Sequence, residues 1–392
     1  MLSWESLYSI KVGGVAPHVS ELSEALARKG HEVHIFTRRG DFDSYDKINN
    51  VHYQRVSFAD TGDLLAQMDS MSEAIFERFE KVQKIFGPFD VLHGHDWHPV
   101  LVLNRIKCEY GLPYILTLHS TEWGRNGNKW GWGASQEISH REWLGGYESS
   151  RIIVTTKAMQ EELKTTYSIP ESKVSIIPNG IVAGKIRRAL DQGLVKERFS
   201  INPLAPMILF CGRMCYQKGP DLLVEAAPLI LKERQDARFV FVGEGDMRSY
   251  CERRARELGV HEACRFPGYI SSTEKQELMN ACDLVCVPSR NEPFGMIILE
   301  AWDAAKPVVA TEAVSIIRNF EDGLLAYIQP ESLAWCINRL LNHPEEMKRL
   351  ALAGQSRIEA EFSWDRIAER TEEVYNEVLR LNRGARTATR DA

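Results

Sequence analysis

The sequence has no apolar run long enough to cross a bilayer; stretches such as Phe239-Val240-Phe241-Val242 fall far short of the roughly 20 residues a spanning helix needs. Its amino terminus has neither the basic n-region nor the apolar h-region of a signal peptide, so a cytoplasmic protein without an integral membrane segment is expected. A long cationic block is also missing. With 54 acidic against 48 basic residues and a net charge of -6, nucleic acid is excluded as a partner. The eight cysteines include no C-x-x-C pair, only Cys211/Cys215 and Cys282/Cys286 at wider spacing, which reads as reduced, mostly buried thiols and not as a zinc site. What is present is length: 392 residues exceed one hydrophobic core and imply two domains.

Along the first half, short β-branched strands alternate with amphipathic helices. Met1-Leu2-Ser3-Trp4 reads as the tail of a first strand. A glycine loop, Lys11-Val12-Gly13-Gly14, precedes a helix with Val19, Leu22, Ala25 and Leu26 on one stripe, and Glu32 to Thr37 follows as a strand. Strand, loop, helix, strand opens a βαβ unit, and its repetition implies a parallel sheet covered on both faces. The missing side chains of Gly13 and Gly14 allow a phosphate to approach the following helix end. Asp41-Phe42-Asp43 spells D-x-D, but it lies in the polar run 41–50 between strands and reads as solvated loop carboxylates.

In an open α/β sheet, ligands gather beyond the carboxyl ends of strands. Two chemistry-rich stretches fall there: His93-Gly94-His95-Asp96-Trp97-His98, and His119 after Tyr114 to Leu118. A metal site on His93, His95 and His98 is one reading, yet Asp96 follows His95 directly where the H-x-H-x-D-H pattern needs a residue between them. Residues 123–143 hold four tryptophans without clear periodicity, and this expected irregular loop offers aromatic faces of the kind that sugar rings pack against. Pro178-Asn179-Gly180 closes the first half, and a linker is expected from about 182 to 206.

A second α/β series starts at Met207. After its first strand, Gly212-Arg213-Met214-Cys215-Tyr216-Gln217-Lys218-Gly219 carries an arginine fork and a lysine point charge suited to a diphosphate. Gly243-Glu244-Gly245 lacks the third glycine of a dinucleotide fingerprint. Downstream, Leu284 to Val287 reads as a buried strand handing over to Glu292-Pro293-Phe294-Gly295-Met296, with Gly295 at a helix start and Glu300 inside that helix. A long amphipathic helix follows Trp364, and residues 383–392 read as a flexible tail.

The strings KVGG, HGHDW, LHS, PNGI, GR-x4-KG and E-x7-E, in this order, resemble the retaining nucleotide-sugar glycosyltransferases of family 4 and the glycogen synthases. The resemblance covers nearly the whole chain. It implies an α/β GT-B fold, two Rossmann-like domains with parallel sheets facing across a cleft: 1–183 for the acceptor, joined by a returning helix at 365–382, and 184–364 for the nucleotide sugar. The implied reaction moves a hexose, glucose first, from ADP-glucose or UDP-glucose to an α-glucan, needing neither metal nor other cofactor. Arg213 and Lys218 would grip the pyrophosphate and Glu292 the hexose hydroxyls. Glu300 would hold the ribose, and Lys11, Gly13, Gly14, Phe294, Gly295 and Met296 would complete the donor site. Asp96 and His119 would flank the reacting centre, with His95 and Asn179 shaping the acceptor side.

A lipid-linked sugar or small sugar phosphate as acceptor, or a nucleotide-sugar epimerase of the same fold, are the other functions the resemblance allows; a homo-oligomer stays open. One departure falls after Glu312, where the family's Gly-Gly pair is replaced by Ala313-Val314-Ser315-Ile316-Ile317, which bears on the sugar or base preference.

Overall fold

A computed structural model describes residues 1–10, 13–39, 42–59 and 61–388. The chain divides into two compact units: Met1–Gly180 with the segment from Trp364 onward, and Ile181–Ser363.

The first unit contains strands β1 (Val33–Arg38), β2 (Ser44–Ile48), β3 (Val51–Val56), β4 (Leu92–His95), β5 (Tyr114–Leu118), β6 (Arg151–Val154) and β7 (Val174–Ile176). They pair in the orders β1-β3-β2 and β4-β5-β6-β7, all parallel except β2. Leu2 joins the two sets, bridging Phe36 on one side and Gly94 on the other. Its amide donates to His93 O at 2.8 Å and its carbonyl accepts from His95 N at 3.0 Å. The expected first strand is thus a single bridging residue.

Alternation along each strand fills both faces. Phe36, Tyr114 and Leu116 enter one core with Met68, Phe79 and Leu103, while Ile35, Tyr53 and Ile115 enter another with Val19, Leu22 and Leu26. The carboxyl-terminal helix, Trp364–Ala388, belongs to this second core through Trp364, Ile367, Val374 and Val378. Trp364 Nε1 donates to Glu21 Oε2 at 2.6 Å, satisfying a buried donor.

The second unit is one six-stranded parallel sheet, in the order β10-β9-β8-β11-β12-β13, from β8 (Met207–Cys211), β9 (Arg238–Val242), β10 (Cys264–Gly268), β11 (Leu284–Val287), β12 (Val308–Thr311) and β13 (Leu324–Ala326). Ile208, Phe210, Phe239 and Phe241 face one core; Met207, Leu209, Val240 and Val242 face the other. Helices such as Pro220–Glu233 and Pro330–Asn342 cover it.

Four local expectations are corrected. Within the polar run 41–50, Ser44–Ile48 is a strand, turned back by Asn49 and Asn50 at φ 49° and 63°, a left-handed pair that asparagine tolerates in a two-residue hairpin. Asp41 lies outside the described residues, and Asp43 accepts from Ser57 N at 2.8 Å. The tryptophan-rich stretch is mostly helical, as Glu122–Arg125 and Ala134–Glu148. The 182–206 segment is no free linker, since Ile186, Val195 and Ile201 are buried in the second unit. The last helix continues to Ala388, past the tail boundary expected at 383.

A Cβ placed on Gly180 would lie 2.6 Å from the Trp364 indole. Gly180→Ala must therefore push the returning helix or the indole aside, costing about 1–3 kcal/mol. A thermal melt followed by tryptophan fluorescence should show a lower midpoint; an unchanged one would contradict this packing.

Candidate functional site

In the second unit, the candidate residues sit beyond the carboxyl ends of β8 and its neighbour β11. The loop after β8 ends in a single 3-10 turn, Tyr216–Lys218, and then Gly219 at φ 63°. A Cβ on Gly219 would lie 2.1 Å from Pro288 O, so only glycine permits this close approach to the end of β11. The approach carries Lys218 Nζ to both carboxylate oxygens of Glu292, at 2.9 and 2.8 Å. Glu292 is buried and accepts a further bond from Ser289 Oγ at 2.9 Å. An ammonium has three donor hydrogens, so this pairing leaves Lys218 one to spend elsewhere.

Arg213 is exposed, and its one side-chain hydrogen bond among the described residues, to Gln217 Oε1, is long at 3.5 Å. Its fork is therefore available to an anion. Glu300 is held by a residue the sequence did not flag: Lys275 Nζ donates to its Oε1 at 2.7 Å from the helix Ser272–Ala281. Gly295, at φ 93°, heads the helix Met296–Asp303. The Phe294 side chain is core, packed edge-on against Phe362 at 6.2 Å, and Met296 lies against the same core. These two can offer a ligand little beyond their backbone. The divergent segment after Glu312 lies beside this site, since Val314 pairs with Glu292 in a parallel bridge.

In the first unit, Lys11 lies outside the described residues. Gly13 N donates to Glu5 Oε2 at 2.7 Å, and Gly14 caps the helix Val15–Arg28 without a side-chain bond. The ends of β4 and β5 meet at Asp96 and His119. Asp96 adopts the left-handed conformation at φ 57°; its amide donates to Thr117 O and its Oδ1 accepts from His119 N, both at 2.8 Å. Burial pushes the Asp96 carboxyl up to about 6, opposed by Arg125 and by the His119 amide. Burial also pulls His119 down to about 3, leaving a neutral imidazole.

His95 Nδ1 lies 3.3 Å from His119 Nε2. A third ring joins them that the sequence did not mark: His18, from the first turns of Val15–Arg28, stands edge-on to His119 at 4.4 Å and gives its Nδ1 hydrogen to Asn179 Oδ1 at 2.8 Å. The only signal for it was its position one turn beyond the glycine pair. The alternative metal triad is not assembled. Both ring nitrogens of His93 are engaged, by Tyr375 OH and Thr117 Oγ1 at 2.7 Å each, and His98 stacks between Trp97 and Trp4.

Beside Asp96 lies a further unmarked group. Glu142, fully buried and pushed up to about 7 by that burial, accepts from Glu122 N at 2.9 Å, Arg125 Nη2 at 2.8 Å and Tyr167 OH at 2.5 Å. Trp130 packs edge-on to Trp123 and Tyr167 but is half exposed, and Trp132 is 86% exposed.

Two α/β units built on parallel strands, with cations and carboxylates beyond their strand ends, are those of a glycosyltransferase of the GT-B class. The glycosyl transferases group 1 family matches residues 192–357, and glycosyltransferase family 4 matches residues 12–184. An uncharacterized glycosyltransferase of Methanocaldococcus jannaschii is 34% identical, over 97% of this chain and 98% of that protein. A glycogen synthase of Mycobacterium tuberculosis and a D-inositol 3-phosphate glycosyltransferase of Thermobispora bispora are each 28% identical, covering 98% and 94% of this chain and 95% and 90% of theirs. Among solved structures, sucrose-phosphate synthase from Thermosynechococcus elongatus superimposes with a TM-score of 0.81 at 22% identity, over 97% of this chain and 99% of that one. The chain belongs to the group 1, family 4 glycosyltransferases.

The Asp96 environment has a consequence for stability. A carboxyl held up to about 6 when folded, against 3.8 when free, binds its proton more tightly in the folded state. Its contribution is fully present below the free value and is lost as pH rises through about 6. Asp96→Asn keeps the oxygen that accepts from His119 N and removes the titration. The variant should gain on the wild type between pH 4 and 7, by up to about 3 kcal/mol from a shift of roughly two units. Parallel denaturant melts across that range check it, and a pH-independent difference would contradict it.

Proposed function

We propose that this glycosyltransferase moves glucose from ADP-glucose or UDP-glucose to an α-glucan with retention of anomeric configuration. The observation that carries the reading is the cation pair after β8. Arg213 is exposed and without a carboxylate partner among the described residues, while Lys218 is aimed by Glu292 and keeps one donor hydrogen free. The difficult event is departure of a nucleoside diphosphate, and charge grows on its leaving oxygen. Preorganised cations stabilise that charge at no reorganisation cost during the reaction.

In the proposed step, the bond from C1 to the leaving phosphate oxygen breaks. The acceptor hydroxyl oxygen bonds C1 from the same face, and its proton passes to the departing phosphate. Glu292 orients hexose hydroxyls and Glu300 the ribose; Gly295 and Gly14 offer helix-end amides. Asp96, ionised above about pH 6, and neutral His119 bind hydroxyls near the reacting carbon. Transfer runs without a metal. The half-exposed Trp130 and exposed Trp132 are the acceptor platform. All eight cysteines are free, in keeping with a reducing cytoplasm.

A small sugar phosphate as acceptor is the second reading, favoured by the inositol-phosphate enzyme among the relatives, as similar as the glycogen synthase. Release of nucleoside diphosphate, measured over a panel of nucleotide sugars with glycogen, maltose or inositol phosphate, separates the two. Release without any acceptor would point instead to an epimerase or hydrolase.

Lys218→Ala should reduce turnover by 100-fold or more, on the order of losing one transition-state donor. Its fold, checked by circular dichroism, should persist. Arg213→Ala should lose activity comparably, with little effect on stability because the side chain is exposed. Undiminished turnover in either variant would remove the diphosphate grip from this loop.

A further inference from the structure

We propose that His18, His95 and His119 form a binding site for a divalent transition-metal ion, with zinc as the ligand of choice. One ring nitrogen from each lies within 4.8 Å of the other two, which makes the trio one of two such clusters among the described residues. The rings come from three separate elements, the helix Val15–Arg28, β4 and the end of β5, so their convergence is a property of the tertiary fold.

Three observations favour a metal over a chance gathering of imidazoles. First, the His18 tautomer is fixed. Its Nδ1 hydrogen goes to Asn179 Oδ1, so Nε2 carries a bare lone pair, the arrangement in which an outer-shell carbonyl oxygen orients a ligating histidine. Second, His18 Nε2, the atom that would face the ion, is buried and has no hydrogen-bond partner. Buried polar atoms rarely go unpaired, and a bound ion is one of the few explanations for them. Third, His95 Nδ1 and His119 Nε2 stand 3.3 Å apart, which matches the edge of a tetrahedron of zinc-nitrogen bonds of about 2.0–2.1 Å.

The single hydrogen now shared along that edge moves to His95 Nε2 when the metal enters, so no proton need leave. The adjacent Asp96 carboxylate offsets part of the added charge.

The second cluster, Glu32, His34 and His52, lacks this readiness. Arg78 Nε donates to Gln54 Oε1, turning the Gln54 amide nitrogen toward His34 Nδ1, at 3.4 Å. That leaves the His34 hydrogen on Nε2, where it bonds Glu32 Oε1 at 3.1 Å. It serves as an internal control. If His119 also binds the hexose as proposed above, zinc and sugar compete for it; metal binding itself is read without turnover and stands apart from that reading.

The test titrates cobalt(II), and then zinc against a chromophoric chelator, into the full-length protein. Expected are visible d–d bands of a four-coordinate cobalt site, abolished by zinc, with zinc held at ~1 µM or tighter. His18→Ala and His95→Ala should each weaken zinc binding by about 100-fold, and Asn179→Ala, which removes no ligand, by about 10-fold. His52→Ala should leave it unchanged. Circular dichroism confirms folding, and His18→Gln replaces His18→Ala if the latter fails to fold. Absence of the cobalt bands in the wild type, zinc affinity unaltered by the His18 substitution, or its loss in His52→Ala would overturn the proposal.

Discussion

The first unit depends on the pairing of one residue. Leu2 is fully buried and bridges β1 and β4: its own amide and carbonyl bond β4, while the neighbouring Met1 carbonyl and Ser3 amide bond Phe36 of β1. Without it the two sets of strands have no common register, because parallel strands are linked by crossovers and not by turns that could fix their alignment. Register decides function here. A slip of one residue along β4 would turn His95 to the opposite face and move Asp96 away from the His119 amide it accepts from. The chemistry of the strand ends is therefore set by a hydrophobic side chain and four backbone hydrogen bonds near the amino terminus.

Much of this was legible because a buried parallel strand has a strong signature. β8, β9, β11 and β12 are short runs of branched and aromatic residues, and charged or glycine-rich loops follow them where ligands gather. Arg213, Lys218 and Glu292 could be picked out for that reason, and the structure brings Lys218 and Glu292 together. β2 was hidden because an edge strand solvated on both faces is polar and shows no alternation: Tyr45, Asp46 and Lys47 are all exposed. The helix Ala134–Glu148 was hidden by its two glycines, and its buried side is partly polar, with Ser139, Arg141 and Glu142. Lys275 and His18 were missed for a different reason. Each acts through a partner distant in the chain, 25 residues away for Glu300 and 161 for Asn179, and no local pattern encodes such a pair.

The two units solve the electrostatics of a buried site in opposite ways. The second keeps charge and matches it. Glu292 and Glu300 each receive a lysine, and a paired buried carboxylate avoids most of the desolvation penalty that an unpaired one would incur. Such a site is fixed in its charges. The first unit removes charge: four histidines, His18, His93, His95 and His119, are pulled toward the neutral form by burial, and Asp96 and Glu142 are pushed toward protonation. Neutral imidazoles donate and accept single hydrogen bonds, which suits hydroxyl groups better than phosphates.

That division follows from the sequence through the residue types each strand end carries. Lysine and arginine remain charged near a surface, whereas histidine loses its charge after modest desolvation. A fold with the same strands but lysine at position 119 would put an ammonium beside His18 and His95, with Asp96 as a nearby counter-charge. The two units are thus distinguished less by shape, since both are mostly parallel sheets covered on two faces, than by which side chains keep their protons when water is withdrawn.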